Sequence, residues 1–252
     1  MDGKKGLIVG VANERSIAWG IAKALAREGT QLGFTYAMEA LEKRVRPLAE
    51  EVGSNFVHMM DVTSDKDMDN VFALTKESFG TIDFLVHAVA FSDKNELKGP
   101  YYNTSRANFL SSMDISVYSF TAMAKRAAEL MPNGGAMLTL TFYGAKKVIT
   151  NYNVMGVAKA ALEASVRYLA VDMGPRNIRV NAISAGPVRT LASAGISDFK
   201  EMLNLGASKA PLGRNVTLEE IGNAGLYLLS DMSTGVTGEI SFVDSGYNVT
   251  GV

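Results

Sequence analysis

Tyr152 and Lys159 stand seven residues apart in the run Tyr152-Asn153-Val154-Met155-Gly156-Val157-Ala158-Lys159-Ala160-Ala161-Leu162. On an α-helix this spacing puts both on one face about two turns apart, and a long side chain leans back toward the helix N-terminus. The ammonium can therefore approach the phenol hydroxyl. A hydroxyl donor backed by positive charge suits a reaction in which negative charge develops on an oxygen. Gly156 lies between the two and leaves room on that face for a bound group. The plain alternative makes Tyr152 a core aromatic and Lys159 a solvated charge, the usual fate of both residue types. A second pair, Tyr143 and Lys147, has the spacing Y-x3-K, but it lies at the end of a strand in a Gly-containing loop.

Other chemistries are thin in this chain. It has no cysteine, which removes thiol catalysis, disulfides and thiolate metal sites, and its only histidines are His58 and His87, so no metal site is expected. A net charge of −1 gives no general attraction to nucleic acid or to an anionic membrane. The N-terminal run from Met1 to Val11 matches neither a signal peptide nor an anchor, and no stretch approaches the roughly 18 apolar residues of a membrane span. A cytoplasmic location is expected.

The elements that must position these residues alternate from end to end. Short β-rich runs fall near Gly6 to Val11, Gln31 to Tyr36, Phe56 to Met60, Phe84 to Ala90, Ala136 to Phe142, Arg179 to Ser184 and Glu239 to Val243. Segments of helical period lie between them: Ser16 to Glu28, Met38 to Val52, Ser64 to Phe79, Ser105 to Met131, Val154 to Met173 and Thr217 to Ser230. Ser64 and Thr217 can cap their helices, Glu220 completes a capping box, Gly29 and Gly174 mark helix ends, and Pro47 should kink or shorten the second helix. The alternation predicts an α/β fold of one domain over 1–252, a Rossmann-type doubly wound parallel sheet of about seven strands with helices on both faces. The insertion from Leu191 to Gly213 places Ile196, Phe199, Met202 and Leu203 at helical spacing. It reads either as an amphipathic lid over a pocket mouth or as a surface helix packed on the core.

The first strand runs into Gly10-Val11-Ala12-Asn13-Glu14-Arg15-Ser16-Ile17-Ala18-Trp19-Gly20 and then a helix. In a doubly wound sheet this is where a pyrophosphate meets backbone N–H groups and the positive end of a helix dipole. The compact G-x-G-x-x-G is absent. The segment instead resembles the diverged G-x5-S-I-A-x-G loop of the enoyl reductases, a branch of the short-chain dehydrogenase/reductase family, with Gly10, Ser16, Ile17, Ala18 and Gly20 in its positions. The Tyr152/Lys159 run is similar to the Y-x6-K hallmark of that branch, where other short-chain dehydrogenases have Y-x3-K. The likeness covers essentially the whole chain, closing with Gly238 to Gly246.

The resemblance implies a nicotinamide cofactor touched by Gly10, Ser16 and Ile17, with Asp61 and Val62 at the adenine. Ala88, Val89 and Ala90 would line the groove, Lys159 the ribose, Val188 the carboxamide and Thr190 the pyrophosphate. The end of the second strand, Tyr36-Ala37-Met38-Glu39, offers no adjacent base for a 2′-phosphate, the first basic groups being Lys43 and Arg44, and this favours NADH/NAD+. Ala37 also lacks the polar side chain many relatives place there. The implied reaction is reduction of a 2-enoyl thioester on an acyl carrier protein, with Tyr152 at the oxyanion and an acyl pocket of Phe91, Ser92, Phe142, Tyr152, Met155, Ile196, Phe199 and Met202. A homotetramer is implied, as is docking of the acidic carrier near Lys200, Lys209 and Arg214, diluted by Glu201. One departure stands out: where the branch has a second tyrosine, ten positions before Tyr152, this chain has Phe142, and Tyr143 follows it. The competing reading is a short-chain dehydrogenase acting on a ketone or 3-oxoacyl thioester. A catalytically dead nucleotide sensor is the other alternative.

Overall fold

The computed structural model describes residues 1–190 and 199–250, with the Phe199 side chain left out. Seven strands make one parallel sheet: β1 (Lys5–Val9), β2 (Gln31–Tyr36), β3 (Val57–Met59), β4 (Phe84–His87), β5 (Gly135–Thr141), β6 (Ile178–Ala185) and β7 (Ile240–Val243). Their order is β3-β2-β1-β4-β5-β6-β7. Strand order reverses between β1 and β4, whose register pairs Val9 with His87, so a crevice opens beyond the ends of those two strands.

Alternation along each strand divides the core into two layers. Leu7, Val9 and Leu85 pack with Phe120, Met123, Leu162 and Val166 on one face. Ile8, Phe34 and Val86 pack with Trp19, Ile21, Leu25 and Ile221 on the other. The helices supplying those layers are α1 (Ile17–Arg27), α2 (Glu42–Glu51), α3 (Asp65–Phe79), α4 (Arg106–Met113), α5 (Ser119–Glu129), α6 (Asn153–Met173) and α8 (Leu218–Leu229), while α7 (Phe199–Lys209) lies in the insertion.

Ser64 caps α3 by accepting from Asp67 N at 3.2 Å, and Thr217 and Glu220 form the expected reciprocal box on α8. Gly29 takes φ +81 as a helix stop. Gly174 does not: it stays right-handed and opens a short 3₁₀ turn, and the left-handed residue is Asn177 at φ +56. Pro47 does not end its helix early. The helix runs on to Glu51, and a 3₁₀ turn, Glu39–Leu41, replaces its expected first turn instead. Lys43, whose carbonyl loses its N–H partner to Pro47, is an exposed residue. The long helix expected from Ser105 to Met131 is broken by a π-turn, Asp114–Tyr118, between α4 and α5. β4 ends at His87; Ala88 N still donates to the Val9 carbonyl at 2.9 Å, but residues 88–90 join no ladder.

Candidate active site

Gly10 leaves β1 at φ +98, and a Cβ there would stand 2.3 Å from the Ala88 carbonyl oxygen. Glycine is therefore required twice over, by its backbone angle and by the close approach of the β1 and β4 loops at the crevice. Ser16 stands at the N-cap position of α1 without a side-chain bond to the helix; its Oγ instead accepts from Ala12 N at 3.0 Å and Asn13 N at 3.1 Å, fixing the long loop internally. Ile17 opens the helix, whose first N–H groups face outward as in any anion-receiving helix start. Ala88 and Val89 are half-buried and Ala90 exposed along one wall of the crevice. Val188 packs on the core at the other side, followed by Thr190. Below β3, Asp61 Oδ1 accepts from Thr63 N at 2.9 Å and Thr63 Oγ1 at 2.8 Å. The Val62 side chain is in the core, so only its main chain can face a ligand.

At the end of β2, Ala37 is exposed, as are Lys43 and Arg44 on α2. A nearer base escaped the sequence reading. Arg46 is held by Glu42, which also bonds the Tyr36 hydroxyl; burial and that contact raise the Tyr36 pKa. The guanidinium is thus committed to a carboxylate next to the strand end.

Tyr152 caps α6 and is 7% exposed. Its ring meets Phe142 edge-on at 5.1 Å, within an apolar cluster with Leu97, Val154 and Met155. Burial pushes the phenol above its ordinary pKa, so it stays protonated. Lys159 is 6% exposed and donates from Nζ to the Leu140 carbonyl at 2.9 Å. Burial pulls its pKa down to about 8, with the Glu163 carboxylate acting in the opposite direction. His87 beneath it is pulled to about 3 by burial and then by the Lys159 charge. Its Nδ1 lies 2.8 Å from Thr139 Oγ1 and its Nε2 2.9 Å from Ser119 Oγ, so the ring is a neutral, fully engaged core group.

One expectation changes here. Gly156 does not leave space for a ligand: a Cβ on it would lie 2.9 Å from the Gly144 carbonyl, so the glycine admits the β5 turn. Gly144 in turn sits under the Tyr152 ring, with 2.5 Å between its virtual Cβ and Cδ1. Tyr143 faces away, donating to the Asn248 carbonyl at 3.3 Å and stacking edge-on with Tyr247 and Phe242, while Lys147 is exposed. The Y-x3-K pair is therefore no site, and Tyr143 does not replace the hydroxyl that Phe142 lacks.

Phe91 is 53% exposed, and Ser116 in the π-turn clasps its main chain, accepting from N at 3.1 Å and donating to O at 3.2 Å. Ser116 Oγ also lies 4.0 Å from Met155 Sδ. Ser92 Oγ and Asp93 N both donate to Asn108 Oδ1, at 3.2 and 2.9 Å. Ser116 and Asn108 had no motif or spacing to reveal them, because their partners lie across the fold. Met202 is half-buried on α7; Ile196 and the Phe199 side chain are outside the described residues. Arg214 is bound twice by Glu220, at 2.9 and 2.6 Å, which offsets its charge within the expected carrier patch of Lys200, Lys209 and Arg214. Among the described residues no group of acidic, His or Cys side chains could hold a metal ion.

The β1–β4 strand-order reversal is where a doubly wound sheet receives a dinucleotide, and the protonated phenol and buried ammonium stand at the start of α6, which is the arrangement of a nicotinamide-dependent reductase of the short-chain class. A family model described as "Enoyl-(Acyl carrier protein) reductase" matches residues 10–248. The chain belongs to that family. It is 61% identical over its whole length, and over 93% of the relative's, to enoyl-[acyl-carrier-protein] reductase [NADH] 1 of Rhizobium meliloti. The enoyl-(acyl-carrier-protein) reductase of Anaplasma phagocytophilum, solved with NAD, superposes with a TM-score of 0.97 at 59% identity, covering 100% of this chain and 96% of that one. A Bacillus cereus enoyl-acyl carrier protein reductase, solved with NADP+ and indole naphthyridinone, has the same TM-score at 49% identity, covering 100% and 98%.

Proposed function

We propose that this enzyme reduces the 2,3 double bond of 2-enoyl thioesters carried on acyl carrier protein, with NADH, in fatty-acid synthesis. The carrying observation is the buried Tyr152–Lys159 pair on α6, with the rival Tyr143–Lys147 pair turned away. NADH, when bound, supplies the hydride for the β-carbon. Gly10, Ser16, Ile17, Asp61, Val62, Ala88, Val89, Ala90, Val188 and Thr190 surround the place it would occupy, and at the adenosine end Ala37 carries no charge and Arg46 is paired with Glu42.

Tyr152, kept protonated by burial, donates a hydrogen bond to the thioester oxygen as charge gathers there. Lys159, charged at neutral pH, turns N–H donors not used on Leu140 toward the ribose and adds positive potential. Phe142, Met155, Phe91 and Ser92, with Met202 of α7, enclose the acyl chain and exclude water; Ile196 and the Phe199 side chain, expected in the same pocket, lie outside the described residues. Lys200 and Lys209 meet the acidic carrier.

The chain works as a cytoplasmic homotetramer. Exposed Leu110, Tyr118, Tyr168 and Val171 on the α4–α6 side, and the unpaired outer edge of β7, provide two apolar or open faces for self-association. Purified protein oxidises NADH with a 2-butenoyl thioester, and does so poorly with a 3-oxobutanoyl thioester, when followed at the reduced-nicotinamide absorbance band. The reverse preference assigns the chain to ketone or 3-oxoacyl reduction.

A further inference from the structure

α6 carries one more enclosed ionisable side chain. Glu163 is 2% exposed and lies one turn beyond Lys159, on the same helix face. Thr141 Oγ1 donates to its Oε1 at 3.0 Å, and Lys146 Nζ stands 3.5 Å from its Oε2. The carbonyl that receives Lys159 belongs to Leu140, the residue before Thr141. Two successive residues of β5 thus pin the two charged side chains of α6 next to each other. A buried carboxylate is costly without compensating charge. Lys146 supplies only part of it, because its side chain is about half in water.

We propose that Glu163 is a positioning residue of the reaction, whose negative charge keeps the Lys159 ammonium protonated and directed at the cofactor ribose. The inference rests on the ribose role given to Lys159 above. Burial works to strip the Lys159 proton and Glu163 opposes it. The other groups near Lys159 leave that balance to Glu163. His87 from β4 is neutral around pH 7, Tyr152 remains a phenol, and Lys146, on the turn after β5, is positive and acts against Glu163. Loss of the Glu163 charge therefore lowers the pH at which Lys159 becomes neutral and releases the ribose.

The test is NADH affinity, read by nicotinamide fluorescence across neutral and alkaline pH. In the wild type, affinity declines as pH rises through about 8. Glu163→Gln, which retains an oxygen for Thr141, moves that decline down by about one pH unit or more, the usual effect of removing an opposite charge at close range. Lys146→Met removes the competing cation and moves the decline to higher pH. A purely structural role would lower affinity equally at every pH. An unmoved decline in Glu163→Gln overturns the proposal. So does an unchanged or downward shift in Lys146→Met, which is a surface change and stays informative if the Gln variant folds poorly. A wild type whose NADH affinity is flat through this range refutes the ribose role of Lys159 itself, a separate failure from that of Glu163.

Discussion

Gly144→Ala adds a single methyl group at the place where the β5 turn supports the reactive ring. The new Cβ would lie 2.5 Å from Tyr152 Cδ1 and 2.8 Å from Cε1, against about 3.5 to 4.0 Å for carbon atoms in contact. Roughly 1 Å of movement is needed. The ring cannot yield freely, because it is buried and held edge-on against Phe142 at 5.1 Å. A reacting group misplaced by about 1 Å costs on the order of a hundredfold, or about 2.7 kcal/mol of transition-state stabilisation. Lys159 and the β1–β4 crevice are untouched. We expect kcat/KM with 2-butenoyl thioester to fall roughly a hundredfold while the NADH dissociation constant stays within about twofold. Steady-state kinetics with a fluorescence titration of NADH, on protein whose melting curve shows it folded, makes the measurement. A kcat/KM within about threefold of wild type would refute the reasoning, since it would mean that the turn and not the phenol moves.

Phe142→Tyr adds the hydroxyl that the resemblance to the branch leads one to expect, yet Phe142 already forms an aromatic wall on Tyr152. It should change kcat/KM by less than about tenfold, or about 1.4 kcal/mol, and a hundredfold gain in the coupled NADH assay would show that the missing donor matters. Lys159→Ala should weaken NADH binding as well as turnover, whereas Tyr152→Phe should lower kcat with NADH affinity preserved. Titration of each variant separates the two roles, and unchanged affinity in Lys159→Ala would contradict the first of them.

The seven strands and their parallel sheet were legible because each is a local pattern, and the candidate pair stood out for the same reason. Alternation gives strands, a 3.6-residue period gives helices, and Tyr152 and Lys159 share one helix. The π-turn left no such trace, since Asp114 to Tyr118 has the same apolar spacing as the helix around it. Gly156 was misjudged for a related reason: its neighbour Gly144 comes from another element, and helix geometry alone shows an empty face. The Glu42–Arg46 pair was visible as an i,i+4 spacing, but its bearing on the adenosine end depends on where β2 stops. Ser116, Asn108 and Glu163 are ordinary residue types whose significance comes from partners 25, 15 and 22 positions away.

The π-turn also determines how this helix can change length. A helix advances about 100° per residue, and a π-turn carries one residue more than a regular turn, so α4 and α5 are rotated relative to one another along a shared axis. On one side of the offset Asn108 holds the Ser92–Asp93 segment; on the other Ser119 sits under His87. Deleting one residue between Asp114 and Tyr118 would restore an unbroken α-helix that is locally more regular, yet it would turn one of those contacts away from its partner. The irregular turn thus acts as a phase shifter, allowing one continuous rod to face two clients that a regular helix could serve only one at a time.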